Sequence, residues 1–254
     1  MRTSKTLQKL RDNQTARVCS LGHYIPHFIR HAAHFNFDCI WLDLEHRCLE
    51  NREVQALLAF SHLADIDIMV RPPTLEKTRL YRYLEDGATG LMIPHVSTAE
   101  KAQMLVDAVR FPPVGDRGID GVGLDSDFSY DGPRYTEMAN EQTFLTVQIE
   151  TPEAIANVEE IAAVDGVDVL FVGPGDLSLR IANSSTDLTL ETAFERTAAA
   201  CEKHGKAWGC PVPTADDLAK RQNQGAKFLA HGGDFMALVR MLEAAAEAFD
   251  SNSV

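Results

Sequence analysis

The chain has 254 residues and a formal net charge of −13, from 37 acidic side chains against 24 lysines and arginines, which argues against a nucleic-acid backbone or an anionic membrane surface as partner. Hydrophobic residues make up 45% of it, enough for a sizeable core and too many for general disorder. Five cysteines without a C-x-x-C pair, no apolar stretch near the ~18 residues of a membrane span, and no apolar signal core at the start point to a cytoplasmic protein.

Short apolar, often β-branched runs recur along the chain. They are RVCSLGH (17–23), FDCIWLDLE (37–45), IDIMVRP (66–72), TGLMIPHV (89–96), FLTVQIE (144–150), VDVLFVG (167–173), KAWGCPV (206–212) and KFLAHGG (227–233). Continuous rather than alternating hydrophobicity is the mark of parallel strands buried on both faces. Helix signals fill the gaps. Ser97 with Glu100 forms a capping-box pattern ahead of AEKAQMLVDAV. Thr151-Pro152 opens EAIANVEEIAAV with Gly166 beyond it, and Thr214 and Gly225 bracket TADDLAKRQNQ.

Eight strand–helix alternations over about 250 residues predict a single (β/α)8 TIM barrel across 1–254. The first strand lacks the G-x-G-x-x-G turn of a doubly wound dinucleotide-binding sheet. The long gap at about 111–141, rich in Gly, Pro and Asp, reads as an ordered loop excursion over one barrel face.

In such a barrel the chemistry gathers at the C-terminal ends of the strands. Those ends carry His23, Asp43, Glu45, His46, Arg71, His95, Gln148, Glu150, Asp176, His231 and Asp234. Glu150 closes strand five and Asp176 follows strand six. Neighbouring parallel strands lie ~4.8 Å apart, so the two carboxylates can share one ion. Two carboxylates with open positions suit Mg²⁺ or Mn²⁺. The competing reading makes Glu150 a helix cap and Asp176 a turn cap. The glycine turn VGPGDLS offers free amides to an anion. Arg71 calls for an anionic partner, substrate or Glu45. His46, close to Asp43 and Glu45, is placed to act as a base. Of the eight lysines, Lys206 and Lys227 lie at strand starts and the rest in predicted helices, so none is placed for Schiff-base chemistry.

The segments FDCIWLDLEH, VRPP, LEDGATGLMIPHV, FPPVGDRGIDG, VQIETPEAIANVEEIAAVDGVDVLFVGPGDLS and QGAKFLAHGGD resemble, in this order, the HpcH/HpaI family of metal-dependent class II pyruvate aldolases. The likeness covers nearly the whole chain and is most specific from Val147 to Ser178. It implies a barrel whose last helix packs on a neighbouring subunit, in a homohexamer built as a trimer of dimers. It makes Glu150 and Asp176 the metal ligands, for Mg²⁺ or Mn²⁺ with Co²⁺ as a further option. It makes His46 the catalytic base and Arg71 the group that binds the pyruvyl oxygens. Gln148 and Gly175 match substrate-binding positions, and Asp43 a supporting acid. Glu85 stands where the family often has an aspartate that raises the basicity of the histidine.

The implied activity is reversible cleavage of a 4-hydroxy-2-oxo acid to pyruvate and an aldehyde. Oxaloacetate decarboxylation, a macrophomate-synthase-like reaction, or 2-oxo-acid binding without catalysis are the competing readings. His23, His95 and His231, with Asp125 and Asp127 in the loop, depart from the family pattern and mark the aldehyde end as altered.

Overall fold

Eight parallel strands pair in chain order and the eighth pairs with the first, closing a barrel in the computed structural model, which describes residues 1–251. The strands are β1 (Ala16–Leu21), β2 (Cys39–Asp43), β3 (Asp67–Arg71), β4 (Gly90–Ile93), β5 (Phe144–Ile149), β6 (Val169–Val172), β7 (Ala207–Pro211) and β8 (Phe228–Gly233). All eight expected runs are strands. Around and below them lie α1 (Lys5–Arg11), α2 (Pro26–His34), α3 (Asn51–Ala64), α4 (Lys77–Glu85), α5 (Ala99–Val109), α6 (Tyr135–Gln142), α7 (Pro152–Ala156), α8 (Val158–Ala162), α9 (Pro174–Ala182), α10 (Leu190–His204), α11 (Ala215–Asn223) and α12 (Asp234–Ser251).

The alternation of side chains along each strand divides the core in two. One set, including Leu21, Ile40, Leu42, Ile68, Val70, Leu91, Val147 and Leu170, packs outward under the helices. The other, Val18, Cys39, Met69, Met92, Phe144, Val169, Phe171 and Phe228, fills the barrel. Phe228 meets Phe144 and Phe171 edge-on, each at 6.0 Å. Glycine is required beside this stack. A Cβ on Gly90 would come within 2.4 Å of the Phe144 ring, so the strand admits no side chain there.

The N-terminal end of the barrel is closed by the first residues of the chain. Asp67, buried at the start of β3, accepts from Ser4 Oγ (2.7 Å), the Thr6 amide (2.8 Å) and Arg2 Nη2 (2.6 Å). Leu7 of α1 joins the interior cluster. A charge here serves stability, away from the ends where chemistry is expected.

Three details of the sequence reading change. The cap of α5 is Thr98, whose side chain accepts from the Lys101 amide, while Ser97 Oγ meets Thr151 Oγ1 at 3.1 Å. The helix after Thr151 is two short helices broken at Asn157. Residues 111–141 connect a helix to a strand, so they lie at the N-terminal ends of the strands. There Arg110 pairs with Asp168 just before β6, and the Met1 amine with Asp131. Part of this segment is helical, with 3₁₀ turns at Leu124–Ser126 and Gly132–Arg134 and the start of α6. Asp125 is buried against Arg117 (2.7 Å) and the Tyr135 hydroxyl (2.6 Å), so in this chain it is not at the barrel mouth.

Candidate active site

Charged side chains are brought together at the opposite end by the ends of β2 to β6. Asp43 and Arg71 are register partners at the ends of β2 and β3. Arg71 donates Nε to Asp43 Oδ1 (2.9 Å) and Nη2 to Asp43 Oδ2 (2.7 Å), a two-pronged pair that fixes the guanidinium plane. Its Nη1 faces Glu45 Oε2 at 3.1 Å and Gln148 Oε1 at 3.4 Å. Trp41, inside the barrel, lies under the guanidinium at 4.7 Å. Burial pushes the Asp43 carboxyl up, but the hydrogen bonds and charge of Arg71 outweigh it and hold the carboxyl below its ordinary range.

Gln148 bridges to the next group, donating Nε2 to Glu150 Oε2 at 3.3 Å. Glu150 is only 2% exposed. Its Oε1 accepts from the His95 amide (2.7 Å) and lies 3.0 Å from His95 Nδ1. Burial raises the Glu150 carboxyl, and the negative charges of Asp176 and Glu45 add to this, against the opposing bond from His95. Glu150 is therefore not a helix cap; Thr151 caps α7. Gly173, between β6 and α9, makes room for the carboxylate, since a Cβ there would come within 2.5 Å of Glu150 Oε2. Asp176 sits in the first turn of α9, not at its cap. Arg180 Nη1 bonds its Oδ1 at 2.5 Å and holds it below the ordinary carboxylate range.

His46 is exposed beyond β2, with Nε2 3.6 Å from Glu45 Oε2 and its amide 3.4 Å from Asp43 Oδ1. A carboxylate at its ring is the arrangement expected of a base. Glu85 is placed differently. Helix α4 runs back from the strand ends, so its last residue lies at the N-terminal end of the barrel. There it is half-buried within electrostatic reach of Arg117, Asp125 and Asp120, and among the described residues it makes no contact with His46. Gly175 lies in the first turn of α9 with open space where a side chain would be.

Two groups escape the sequence reading. Lys101 is in a helix as expected, yet its Nζ reaches the mouth and donates to the His95 carbonyl at 2.7 Å. Trp41 is read as a strand residue, and the pairing of β2 with β3, with its side chain facing inward, puts it under Arg71. A cleft of about 230 Å³ bounded by Glu45, Pro72, Pro94, His95 and Lys101 opens beside this cluster. Larger clefts, of about 670 and 750 Å³, lie among outer helices and strand starts, away from it.

Residues 21–240 match the family described as HpcH/HpaI aldolase/citrate lyase. The chain belongs to this family. It is 39% identical over 173 residues to a hydroxypyruvate/pyruvate aldolase of Delftia acidovorans, covering 67% of this chain and 64% of that one. It is 36% identical over 220 residues to a 4-hydroxy-2-oxovalerate aldolase of Rhodococcus jostii, covering 84% and 83%. A solved HpcH/HpaI aldolase/citrate lyase family protein from Burkholderia cenocepacia superposes with a TM-score of 0.88 at 29% identity, over 98% of this chain and all of that one. In this HpcH/HpaI member the sequence-expected Asp43, Arg71, Gln148 and Glu150 form one connected network. His46 and Asp176 flank it.

Proposed function

We propose that the protein is a divalent-metal-dependent pyruvate aldolase that reversibly cleaves a 4-hydroxy-2-oxo acid to pyruvate and an aldehyde. The observation that carries this is the bridge from a fixed arginine, through Gln148, to a buried carboxylate. Arg71 is positioned for the oxygens of a 2-oxo acid and Glu150 for a cation, at the ends of β3 and β5 with only β4 between them. Family membership and the names of the relatives support the same reading.

The residues fit a hard cation. Glu150 is buried with few donors, the glycine at 173 clears its Oε2, and Asp176 is close enough to raise its carboxyl. Among the described residues no three His, Cys, Asp or Glu side chains cluster in a way that could hold a metal. A site of two carboxylates leaves the remaining positions to water and substrate oxygens, the habit of Mg²⁺ and Mn²⁺ rather than zinc. When bound, the cation supplies Lewis-acid polarisation of the keto group.

Arg71 donates to the 2-oxo acid and stabilises the negative charge that develops on its keto oxygen. Asp43 and Trp41 keep the guanidinium from turning away. His46 takes a proton from the methyl carbon, with Glu45 favouring the imidazolium that results. The resulting carbanion forms the new bond to the aldehyde carbon, and the aldehyde oxygen takes up a proton. In the cleavage direction these transfers reverse. Gln148 and the free amides at Gly175 and Asp176 orient the carboxylate.

Helix α12 supports a homo-oligomer, with a hexamer as the family-implied size. Met236, Val239, Met241 and Leu242 are all exposed along it, more apolar surface than a lone helix carries without a partner. No helix among the described residues is long and apolar enough to cross a membrane. Five free thiols, four of them buried, support a reducing cytoplasm.

The decisive experiment is exchange of pyruvate methyl protons with D₂O, followed by NMR with Mn²⁺ and after chelation. Exchange should require the metal and vanish in Glu150→Ala and Asp176→Ala. Metal-independent exchange, or exchange that survives both substitutions, overturns the assignment.

A further inference from the structure

On the far side of His46 from Arg71 lies a second group of polar side chains, built where β8 closes on β1. Asp234, at the start of α12, is 4% exposed. Its carboxylate accepts from the Gly22 amide (3.1 Å to each oxygen), the His23 amide (3.0 Å) and His23 Nδ1 (2.6 Å). A carboxylate on Nδ1 fixes the ring and leaves Nε2 as its acceptor.

The His23 ring stacks on Phe235, with centroids 6.3 Å apart and planes 6° from parallel. The Arg47 guanidinium covers the same Phe235 ring at 5.6 Å. Gly22 permits this approach, since a Cβ there would lie 3.0–3.2 Å from Arg47 Nε, Cγ and Cδ. Arg47 Nη1 donates to the His46 carbonyl at 2.8 Å, and among the described residues no carboxylate pairs with it. In a chain with 37 acidic residues, an exposed arginine held in place beside the active site without an acid is poised for an external anion. Contacts run from Arg71 through Glu45 (3.1 Å) and His46 (3.6 Å) to Arg47, so the two groups adjoin.

We propose that Arg47, His23 and Phe235 form the site for the electrophilic partner, and that this partner is a short aldehyde carrying a carboxylate and a hydroxyl. The inference rests on the aldolase reading above. Arg47 takes the carboxylate by its free N–H groups, and His23 Nε2 accepts from the hydroxyl. Phe235 forms an apolar wall for the carbon chain. Asp234 is a positioning residue that holds the acceptor face of His23 toward the partner.

The test compares aldehydes matched in length, using the Mn²⁺-loaded enzyme with pyruvate. The kcat/KM ratio of succinic semialdehyde to butanal should exceed one in the wild type. In Arg47→Ala it should fall about 10- to 100-fold, the worth of one charged hydrogen bond, mostly through KM, with partial recovery in Arg47→Lys. The ratio of glyceraldehyde to propanal should fall at least about fivefold in His23→Ala, and Asp234→Asn should reproduce that fall by releasing the ring. Unchanged ratios overturn the proposal.

Pyruvate exchange in the wild type, measured without aldehyde, tests the underlying aldolase reading separately. If that exchange is absent, calorimetric titration of D-glycerate into wild type and Arg47→Ala, both saturated with pyruvate, still decides the subsite. At least tenfold weaker binding in the variant supports it, and equal binding removes it.

Discussion

His95 meets a single oxygen of Glu150 twice, donating its amide at 2.7 Å and bringing its ring Nδ1 to within 3.0 Å. It does so with φ of 55°, a left-handed conformation that few residues other than glycine adopt and that tends to persist at functional sites. Lys101 pins the turn from the other side through the His95 carbonyl. With Oε1 held this way, Oε2 is the less engaged oxygen, accepting only the 3.3 Å bond from Gln148 Nε2. Partners of this kind typically contribute 10- to 100-fold to metal affinity. His95→Ala, which keeps the amide and loses the ring, should weaken Mn²⁺ binding by about tenfold or more. Asparagine, tolerant of positive φ, should recover part of the loss. Electron paramagnetic resonance of free Mn²⁺ measures both, and unchanged affinity would separate His95 from the metal site.

Gly173 offers an independent check on the same carboxylate. An added Cβ would lie 2.5 Å from Glu150 Oε2 and 3.0 Å from its Cβ, so one of the two groups must move. Gly173→Ala should cost about 1–3 kcal/mol of stability as an overpacked site. It should weaken Mn²⁺ binding by more than that loss of stability explains, because the displaced group is the proposed ligand. Urea unfolding and Mn²⁺ titration on one preparation give the two numbers. Full metal affinity in the variant would mean that Glu150 binds from another position.

The strands were legible because a parallel barrel buries both faces, which writes eight uninterrupted apolar runs into the chain. The strand ends followed from them, which is why Asp43, Arg71, Gln148 and Glu150 were found. Side-chain direction was not legible. Nothing local says that His23 turns to Asp234, a partner 211 positions away, or that Lys101 reaches back from α5 to the mouth. Glu85 and Asp125 lie away from the mouth for a different reason. A resemblance assigns a residue a role without its coordinates, whereas the return of α4 and the connection after α5 carry both to the N-terminal ends of the strands.

Away from the site, Glu191 joins α10 to α11 by accepting from Arg221, Lys220 and Gln224. The Arg221 bond is the main reason its carboxyl is lowered from the ordinary 4.5 to about 2. A carboxyl depressed by folding stabilises the protein above its unfolded pKa, and that contribution is lost as pH falls from about 4.5 toward 2. The group is exposed and screened by solvent, so the effect is about 0.2–1 kcal/mol. Glu191→Gln should therefore lower the urea midpoint slightly at pH 7, and the deficit should shrink as the pH drops below 4.5. A deficit constant with pH would assign the loss to packing instead of charge.

The exposed apolar residues of α12 make a prediction about assembly. Leu242 is 63% exposed and Met241 58%, in a helix whose only described residue buried within the chain is Asp234. If a second subunit covers these side chains, Leu242→Glu places a charge in an apolar contact, where it must be desolvated without a partner. Light scattering should show the wild type as an oligomer and the variant as a smaller species at equal concentration. The barrel should survive, because Leu242 contributes nothing to the core of its own chain, so circular dichroism of the variant should keep its helix and strand signal. A wild type that is monomeric at micromolar concentration would leave α12 without the partner its composition calls for. The oligomer assignment would then fall, while the proposed metal site and the Arg71 cluster, built wholly from β2 to β6 and the turns after them, would be untouched.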